Sequence, residues 1–509
     1  MTFRLPASTP PSPNASGPRP RGAARRWAIL VLAILAVAAI LAVAAIIAYT
    51  RRTEPPKPIP QPNVVLIVLD TARADRFSFM GYDKPTSPNI DRVAAEGVVF
   101  DRAYATCFWT LPSHASIFTG RTPTMAGATS ESMIMPDHNV MMAEILADAG
   151  YQTFGASSNG WIHSKFGFAQ GFDHFVDPIM DANSRKGKTV EQLTLDESLA
   201  WLDGRGADDP PFFMFVNFTH PHMTYKPEPP FDTKFLSRDW SDGDLWRAGR
   251  VRNQWAHVTG EDKLKDKHLK LMDELYDGEI ASADRATGAI IDRLRTMGVL
   301  DDTILIITSD HGENLGEHGR IDHTISMHET TLRIPLMIRY PHRIEPDQRV
   351  TDVVSLVDIL PTVLDLCRLP PHTRDEDWTA APSLLDPQRR PHPYVMAEND
   401  HPVQPLRYLM REHPTYDRHQ INYRMRAICS YRFKATAEEG HAHDHQQLID
   451  LTNDPDELID VSDKYPDVSK TMFDALRRSL ADQPDTVEPR AIEDIDPDAL
   501  RRLESLGYF

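Results

Sequence analysis

Three short, continuous apolar runs constrain this chain more than any other feature. Asn63–Leu69 (NVVLIVL), Phe212–Phe218 (FFMFVNF) and Ile304–Thr308 are rich in Val, Ile and Phe and lack the alternation of a half-wet strand. Runs of this kind are expected where a strand is buried on both faces, as in parallel sheets covered by helices. Helical patterns lie between them. One opens at Ser87-Pro88 and closes at Gly97; another covers Asp277–Met297 and is closed by Gly298. The alternation predicts a doubly wound, mostly parallel α/β sheet over residues 63–370. After Pro370-Pro371 the texture changes. Tyr394–Ala397 and Tyr423–Phe433 suggest strands and Asp463–Leu480 a closing helix, so a smaller C-terminal α+β subdomain is expected over 371–485, with a tail at 486–509.

The N-terminal end reads differently. Residues 1–26 carry six prolines and no apolar periodicity, as in a disordered arm. Trp27 to Thr50 is then 24 residues without a charge. About 20 apolar residues span a bilayer, against roughly 7–15 for a secretory core, so this segment is expected to be an uncleaved transmembrane signal anchor. Arginines before it favour a cytoplasmic N-terminus. The Pro-rich stretch 51–62 would then lift the main domain off the outer face of the cytoplasmic (inner) membrane, into the periplasm.

Charge narrows the partners. The chain holds 55 basic and 73 acidic residues, a net charge of −18, and seven of the arginines lie before Thr53. A body that is acidic overall lacks the clustered positive charge of a phosphate-backbone binder, so nucleic acid is not an expected partner. Three cysteines (Cys107, Cys367, Cys429) are too few for a disulfide scaffold or a four-thiolate zinc site.

Ligands of open α/β sheets bind beyond the carboxyl ends of the strands, and each apolar run ends in residues suited to a metal or an anion. The first ends in Asp70, the second in His220-Pro221-His222, the third in Ser309-Asp310-His311-Gly312-Glu313. A fourth piece, Trp109-Thr110-Leu111-Pro112-Ser113-His114, looks like a helix start, because Pro112 suits a first turn. Free N–H groups there favour an alkoxide or oxyanion. A plain Thr cap is the bland alternative.

Together these residues resemble the sulfatase-like branch of the alkaline phosphatase superfamily. The resemblance runs through NVVLIVLDTARADRFSFMGY (63–82), TSPNIDRVAAEGVVFDRAYA (86–105), TLPSHASIFTG (110–120), FFMFVNFTHPHMTY (212–225), YDGEIASADRATGAIIDRL (276–294), TSDHGENLGEHG (308–319), RIPLMI (333–338) and LIDLTNDPDE (448–457). It implies an alkaline-phosphatase-like fold and a metal-dependent hydrolase or transferase of sulfate or phosphate esters, with a helix-start nucleophile that ligates the metal.

Within that branch, sulfatases oxidise a Cys of a Cys-x-Pro-Ser-Arg motif to formylglycine. Here Thr110 and His114 stand at the Cys and Arg positions, Ser158 replaces an anion-binding Lys, and Asp70-Thr71 replaces an Asp pair. A threonine cannot give that aldehyde. The set is similar instead to the Thr-nucleophile members, lipoteichoic acid synthases and phosphoethanolamine transferases.

The expected site therefore has Asp70, Thr110, Asp310 and His311 as ligands of one divalent metal. A mixed oxygen and nitrogen set suits Zn²⁺ or Mn²⁺ better than Ca²⁺ or Mg²⁺. Thr110, His222 and His323 are the expected catalytic residues, and His114 and His220 secondary substrate contacts. The expected chemistry is attack of Thr110 on a phosphate ester, lipid- or glycan-linked, through a phospho-enzyme. A sulfatase without formylglycine and a non-catalytic binding protein on the same fold are the alternatives.

Overall fold

The computed structural model describes residues 27, 30–33, 35–43, 61–178, 187–323, 325–370, 381–417, 421–440 and 445–481. The chain from Pro60 onward forms one compact unit. Its strands are β1 (Asn63–Leu69), β2 (Val98–Tyr104), β3 (Gln152–Ser157), β4 (His174–Val176), β5 (Phe212–Phe218), β6 (Thr303–Thr308), β7 (Asn314–Leu315), β8 (Ile321–Asp322), β9 (Arg333–Ile334), β10 (Leu336–Arg339), β11 (Gln348–Ser355), β12 (Val395–Asn399), β13 (Arg424–Cys429), β14 (Phe433–Glu439) and β15 (His445–Asp450).

The main sheet has the order β11-β2-β10-β6-β1-β5-β3-β4, with β9 also paired to β2. β1 lies at its centre, parallel to both β5 and β6, and its Val64–Val68 stretch is buried throughout. The short β9 and β10 run antiparallel to their neighbours, so the sheet is mixed though mostly parallel. Val65, Ile67 and Leu69 join one core with Ile90, Val93, Leu202, Ile290 and Leu294 from the helices Pro88–Ala94, Val190–Asp203 and Asp266–Met297. The intervening Val64, Leu66 and Val68 point to the opposite face by the two-residue period of a strand. The helix Thr110–Thr119 packs with Met142–Asp148 and Ile359–Leu366.

The long helix begins at Asp266, eleven residues before the sequence expectation, because Leu271, Met272 and Leu275 continue its buried stripe. β12 to β15 form an antiparallel sheet whose inner residues Ile428, Ala435 and Leu448 pack on Met472, Phe473 and Leu476 of the helix Pro466–Ala481. The stretch expected as one strand at 423–433 is two, turning at Ser430-Tyr431-Arg432.

The structure does not show the membrane anchor expected at 27–50: among the described residues no helix is long and apolar enough to cross a membrane. Residues 30–33 and 35–43 are helical, with Leu32, Ile40 and Leu41 exposed, and 28, 29, 34 and 44–50 lie outside the described residues, as do the arm at 1–26, the linker at 51–60 and the tail from 482.

Candidate active site

β1, β5 and β6 lie side by side, so the polar residues at their carboxyl ends converge. Asp70 follows β1 and is anchored by its own N–H to the Phe218 carbonyl at 2.9 Å. Its Oδ2 accepts from Asn159 Nδ2. Asp310 follows β6; its Oδ1 accepts from the Thr71 and His311 backbone N–H groups at 3.1 and 2.8 Å. Each carboxylate thus has one oxygen held by the protein. The other two, Asp70 Oδ1 and Asp310 Oδ2, are wholly buried and have no hydrogen-bond partner among the described residues. Burial first and the Asp310 charge second push Asp70 well above the usual carboxylate range.

His311 completes the group. Its Nδ1–H donates to the Gly312 carbonyl at 3.0 Å, which leaves the Nε2 lone pair facing the two carboxylates. Nε2 is 3.4 Å from Asp310 Oδ2 and 3.9 Å from Asp70 Oδ1. Burial lowers its pKa to about 3, so the ring is neutral. One atom from each of Asp70, Asp310 and His311 lies within 4.8 Å of the others. Two orphaned carboxylate oxygens and an imidazole lone pair facing them, all buried, fit a divalent cation, because a cation would offset the burial and the Asp310 repulsion that raise the Asp70 pKa. Gly312 follows because a Cβ there would collide with the Thr330 carbonyl.

Thr110 is the first residue of its helix, with Trp109 as the N-cap in extended conformation and no side-chain cap bond. Its hydroxyl is therefore not spent on capping and stands 3.4 Å from His311 Nε2. His114, one turn on, donates from Nδ1 to the Thr110 carbonyl at 3.0 Å and lies 3.5 Å from Asp310 Oδ2; its Nε2 has no partner among the described residues. It is packed edge-on against Phe168 and Phe215 at the base of the site.

His323 and His222 lie on the other side. The His323 ring centre is 4.6 Å from that of His311 and 5.2 Å from that of His222. His323 Nδ1 is 2.8 Å from Asp322 Oδ1 and 3.2 Å from Glu313 Oε1. Burial opposes its charge, but the two carboxylates outweigh burial and raise its pKa well above the usual value. Glu313, Asp322 and His323 form a second group of the right size for a metal. A proton on Nδ1 already lies between both carboxylates, however, so an imidazolium offsets their charge, although Glu313 Oε2 has no hydrogen-bond partner among the described residues. His222 is the opposite case: Nδ1–H donates to the Met223 carbonyl at 2.6 Å, and burial and the His323 charge lower its pKa to about 4. A neutral ring thus stands beside a charged one.

His220, expected as a substrate contact, is instead bound through Nδ1 to Glu279 of the long helix. Glu279 also accepts from the Lys226 N–H, so it fastens both ends of the loop that carries His222. Ser158, at the expected anion-binding position, is occupied with the end of β5 through the Asn217 carbonyl and Thr219. Cys107 is buried and free, with its thiol pushed up by burial. Sequence reasoning missed Asn159, Glu279 and Asp322 and gave Glu313 no role of its own. Only Glu313 carried a local signal, as the last residue of the Ser309–Glu313 motif.

Comparison with known proteins agrees with this geometry. The sulfatase family matches residues 62–369, and the family described as N-sulphoglucosamine sulphohydrolase, C-terminal, matches residues 316–483. The chain is 26% identical over 454 residues to arylsulfatase K of Bos taurus, covering 82% of this chain and 81% of that protein. It is 26% identical over 383 residues to N-acetylglucosamine-6-O-sulfatase of Bacteroides thetaiotaomicron, covering 60% and 67%. The crystal structure of phosphonate monoester hydrolase of Agrobacterium radiobacter superposes with a TM-score of 0.66 at 22% identity, covering 83% of this chain and 96% of that one, and shows the same fold.

Proposed function

Because this chain belongs to the sulfatase family, we propose that it is a metal-dependent ester hydrolase that opens sulfate esters on sugars, with Thr110 as nucleophile. The observation that carries the reading is the Thr110 hydroxyl 3.4 Å from His311 Nε2, which itself lies 3.4 and 3.9 Å from the orphaned oxygens of Asp310 and Asp70. The relatives' names favour sulfate over phosphate, so the order expected from the sequence is reversed. Phosphate or phosphonate esters remain a second reading for one reason: Thr110 cannot become an aldehyde, and an unmodified alcohol is well suited to attack phosphorus.

A divalent cation held by Asp70, Asp310, His311 and Thr110 would supply Lewis-acid chemistry, lowering the pKa of the alcohol and offsetting charge on the ester oxygens. The nitrogen donor of His311 supports Zn²⁺ or Mn²⁺. Thr110 Oγ1 gives its proton to solvent and forms a bond to sulfur as the bond from sulfur to the leaving oxygen breaks. The His323 imidazolium donates a proton to that oxygen. Backbone N–H groups of the first helical turn stabilise charge on the equatorial oxygens. In the second step water attacks sulfur as the bond from sulfur to Thr110 Oγ1 breaks; His222 takes a proton from that water and passes it to solvent, and protons from solvent restore the Thr110 hydroxyl and the His323 imidazolium. His114 holds the Thr110 carbonyl and faces Asp310, which makes it a positioning residue.

The apolar run 27–50 supports an anchored protein with its hydrolase domain outside the cytoplasmic membrane. Metal analysis, followed by turnover of 4-nitrophenyl sulfate, 4-nitrophenyl phosphate, phenyl phosphonate and glucosamine 6-sulfate, tests the proposal. Preference for the sulfates supports the first reading, preference for phosphorus supports the second, and no metal and no turnover would refute both.

A further inference from the structure

The residue before the nucleophile is held by the C-terminal sheet. Asn399, the last residue of β12, is almost fully buried, and its Oδ1 accepts from the Trp109 indole N–H at 3.2 Å, from Ser130 Oγ at 2.7 Å and from Cys107 Sγ at 3.5 Å. Ser130 Oγ also accepts from the same indole at 3.1 Å. Asn399 is itself fixed: Arg426 Nη1 donates to its carbonyl at 2.6 Å and Nη2 to Asp400 at 3.0 Å. Its neighbour Glu398 donates from its N–H to the Thr106 carbonyl at 2.8 Å and accepts from the Thr124 N–H at 2.8 Å.

The loop so held leads straight into the nucleophile helix. Ser113 Oγ donates to the Cys107 carbonyl at 2.9 Å and Thr106 Oγ1 to Ser116 Oγ at 2.9 Å, which ties the loop to the first two turns. On the other side the Trp109 ring meets Trp161 edge-on, with ring centres 5.6 Å apart. The Trp161 N–H donates to Asn159 Oδ1 at 2.7 Å, and Asn159 holds the metal-facing Asp70. The ring contact between the two tryptophans and the Trp161 backbone N–H therefore connect the nucleophile to a ligand carboxylate, and Asn399 sets the position of the Trp109 indole.

We propose that Asn399 is a positioning residue for the nucleophile: its amide oxygen fixes Trp109, and through Trp109 the placement of Thr110 against Asp70, Asp310 and His311. The proposal rests on Thr110 being the nucleophile. It makes the C-terminal sheet part of the catalytic apparatus, although no residue of that sheet touches the reacting atoms. Misplacing a reacting group by about 1 Å can cost about 100-fold in rate, so a small rotation of Trp109 is enough to be felt.

The test pairs Asn399→Leu, which keeps the volume and removes the acceptor, with Trp109→Phe, which removes the donor, and with the double variant. Turnover is followed on 4-nitrophenyl sulfate and 4-nitrophenyl phosphate, and hydrogen–deuterium exchange on the free protein. The expected result is a kcat lowered 10- to 100-fold in each single variant, with KM within about twofold and metal content unchanged. The losses in the double variant should fall well short of multiplying, because the two single variants share the Asn399–Trp109 bond although each also removes bonds of its own. Exchange in 106–119 should quicken about tenfold in Asn399→Leu, while 303–311 is unaffected. Unchanged exchange at 106–119, or kcat losses that multiply in the double variant or merely follow the folded fraction, would overturn the proposal. Thr110→Ala is run beside them. If it is dead while Asn399→Leu is fully active, only the positioning role fails; if it turns over normally, the reading of Thr110 fails with it.

Discussion

Replacing His220 by Asn should flatten the alkaline side of this protein's stability curve. His220 Nδ1 is bonded to Glu279 in the interior; burial works against its charge, but the carboxylate outweighs burial and raises the pKa to about 9. In the unfolded chain the same imidazole titrates near 6.5. The folded pKa is the higher one, so the contribution is fully present below about pH 6.5 and is lost as pH rises through about 9. At about 1.4 kcal/mol per pH unit, that interval corresponds to on the order of 3 kcal/mol. Urea unfolding followed by tryptophan fluorescence at pH 6, 7.5 and 9 measures it. The wild type should lose stability across this range by on the order of 2–3 kcal/mol more than His220→Asn. Because Glu279 also holds Lys226, the wild-type loop carrying His222 should loosen over the same window. Parallel pH curves for the two proteins would refute the ion pair as an energetic element.

Three further outcomes follow from the same structure. Lys434 is wholly buried, donates to the Met327 carbonyl at 2.9 Å and pairs with Glu329 and Glu457; Lys434→Met should cost roughly 3–5 kcal/mol in urea unfolding, since it strands two carboxylates, and a loss under about 1 kcal/mol would contradict this. His323→Gln should lower kcat by 10²- to 10⁴-fold for esters with poor alcohol leaving groups but far less for 4-nitrophenolate, which needs no proton; equal losses on both would remove the acid role. A reporter fused after Phe509 should be active only when exported if 27–50 anchors the chain, and a cytoplasmic signal or release into the soluble fraction would count against the anchor.

The strands that place the site were readable because burial on both faces leaves Asn63–Leu69 and Phe212–Phe218 apolar except for Asn63 and Asn217. Asp70, Asp310 and His311 stand at strand ends and Thr110 at a helix start; the family resemblance grouped the four, and the structure brings them together. Their supports could not. Asn159 is 89 positions from Asp70, and Glu279 is 59 from His220, so these pairings exist only once the sheet and the long helix have packed. The charge of His323 was hidden for a similar reason: it depends on Glu313 and Asp322 meeting across the two-stranded β7–β8 ribbon, where Asp322 takes a left-handed backbone with φ 73°. The antiparallel insertion of β10 left no mark in the sequence, because a four-residue apolar strand reads the same in either direction.

The central claim is that Thr110 carries the transferred group. Enzyme quenched with excess substrate and digested should show a sulfo or phospho mass increment on the peptide containing Thr110, and on no other peptide. Thr110→Ala should lose the increment and several orders of magnitude of turnover while keeping its fold. An increment elsewhere, or near-normal turnover by Thr110→Ala, would contradict the account.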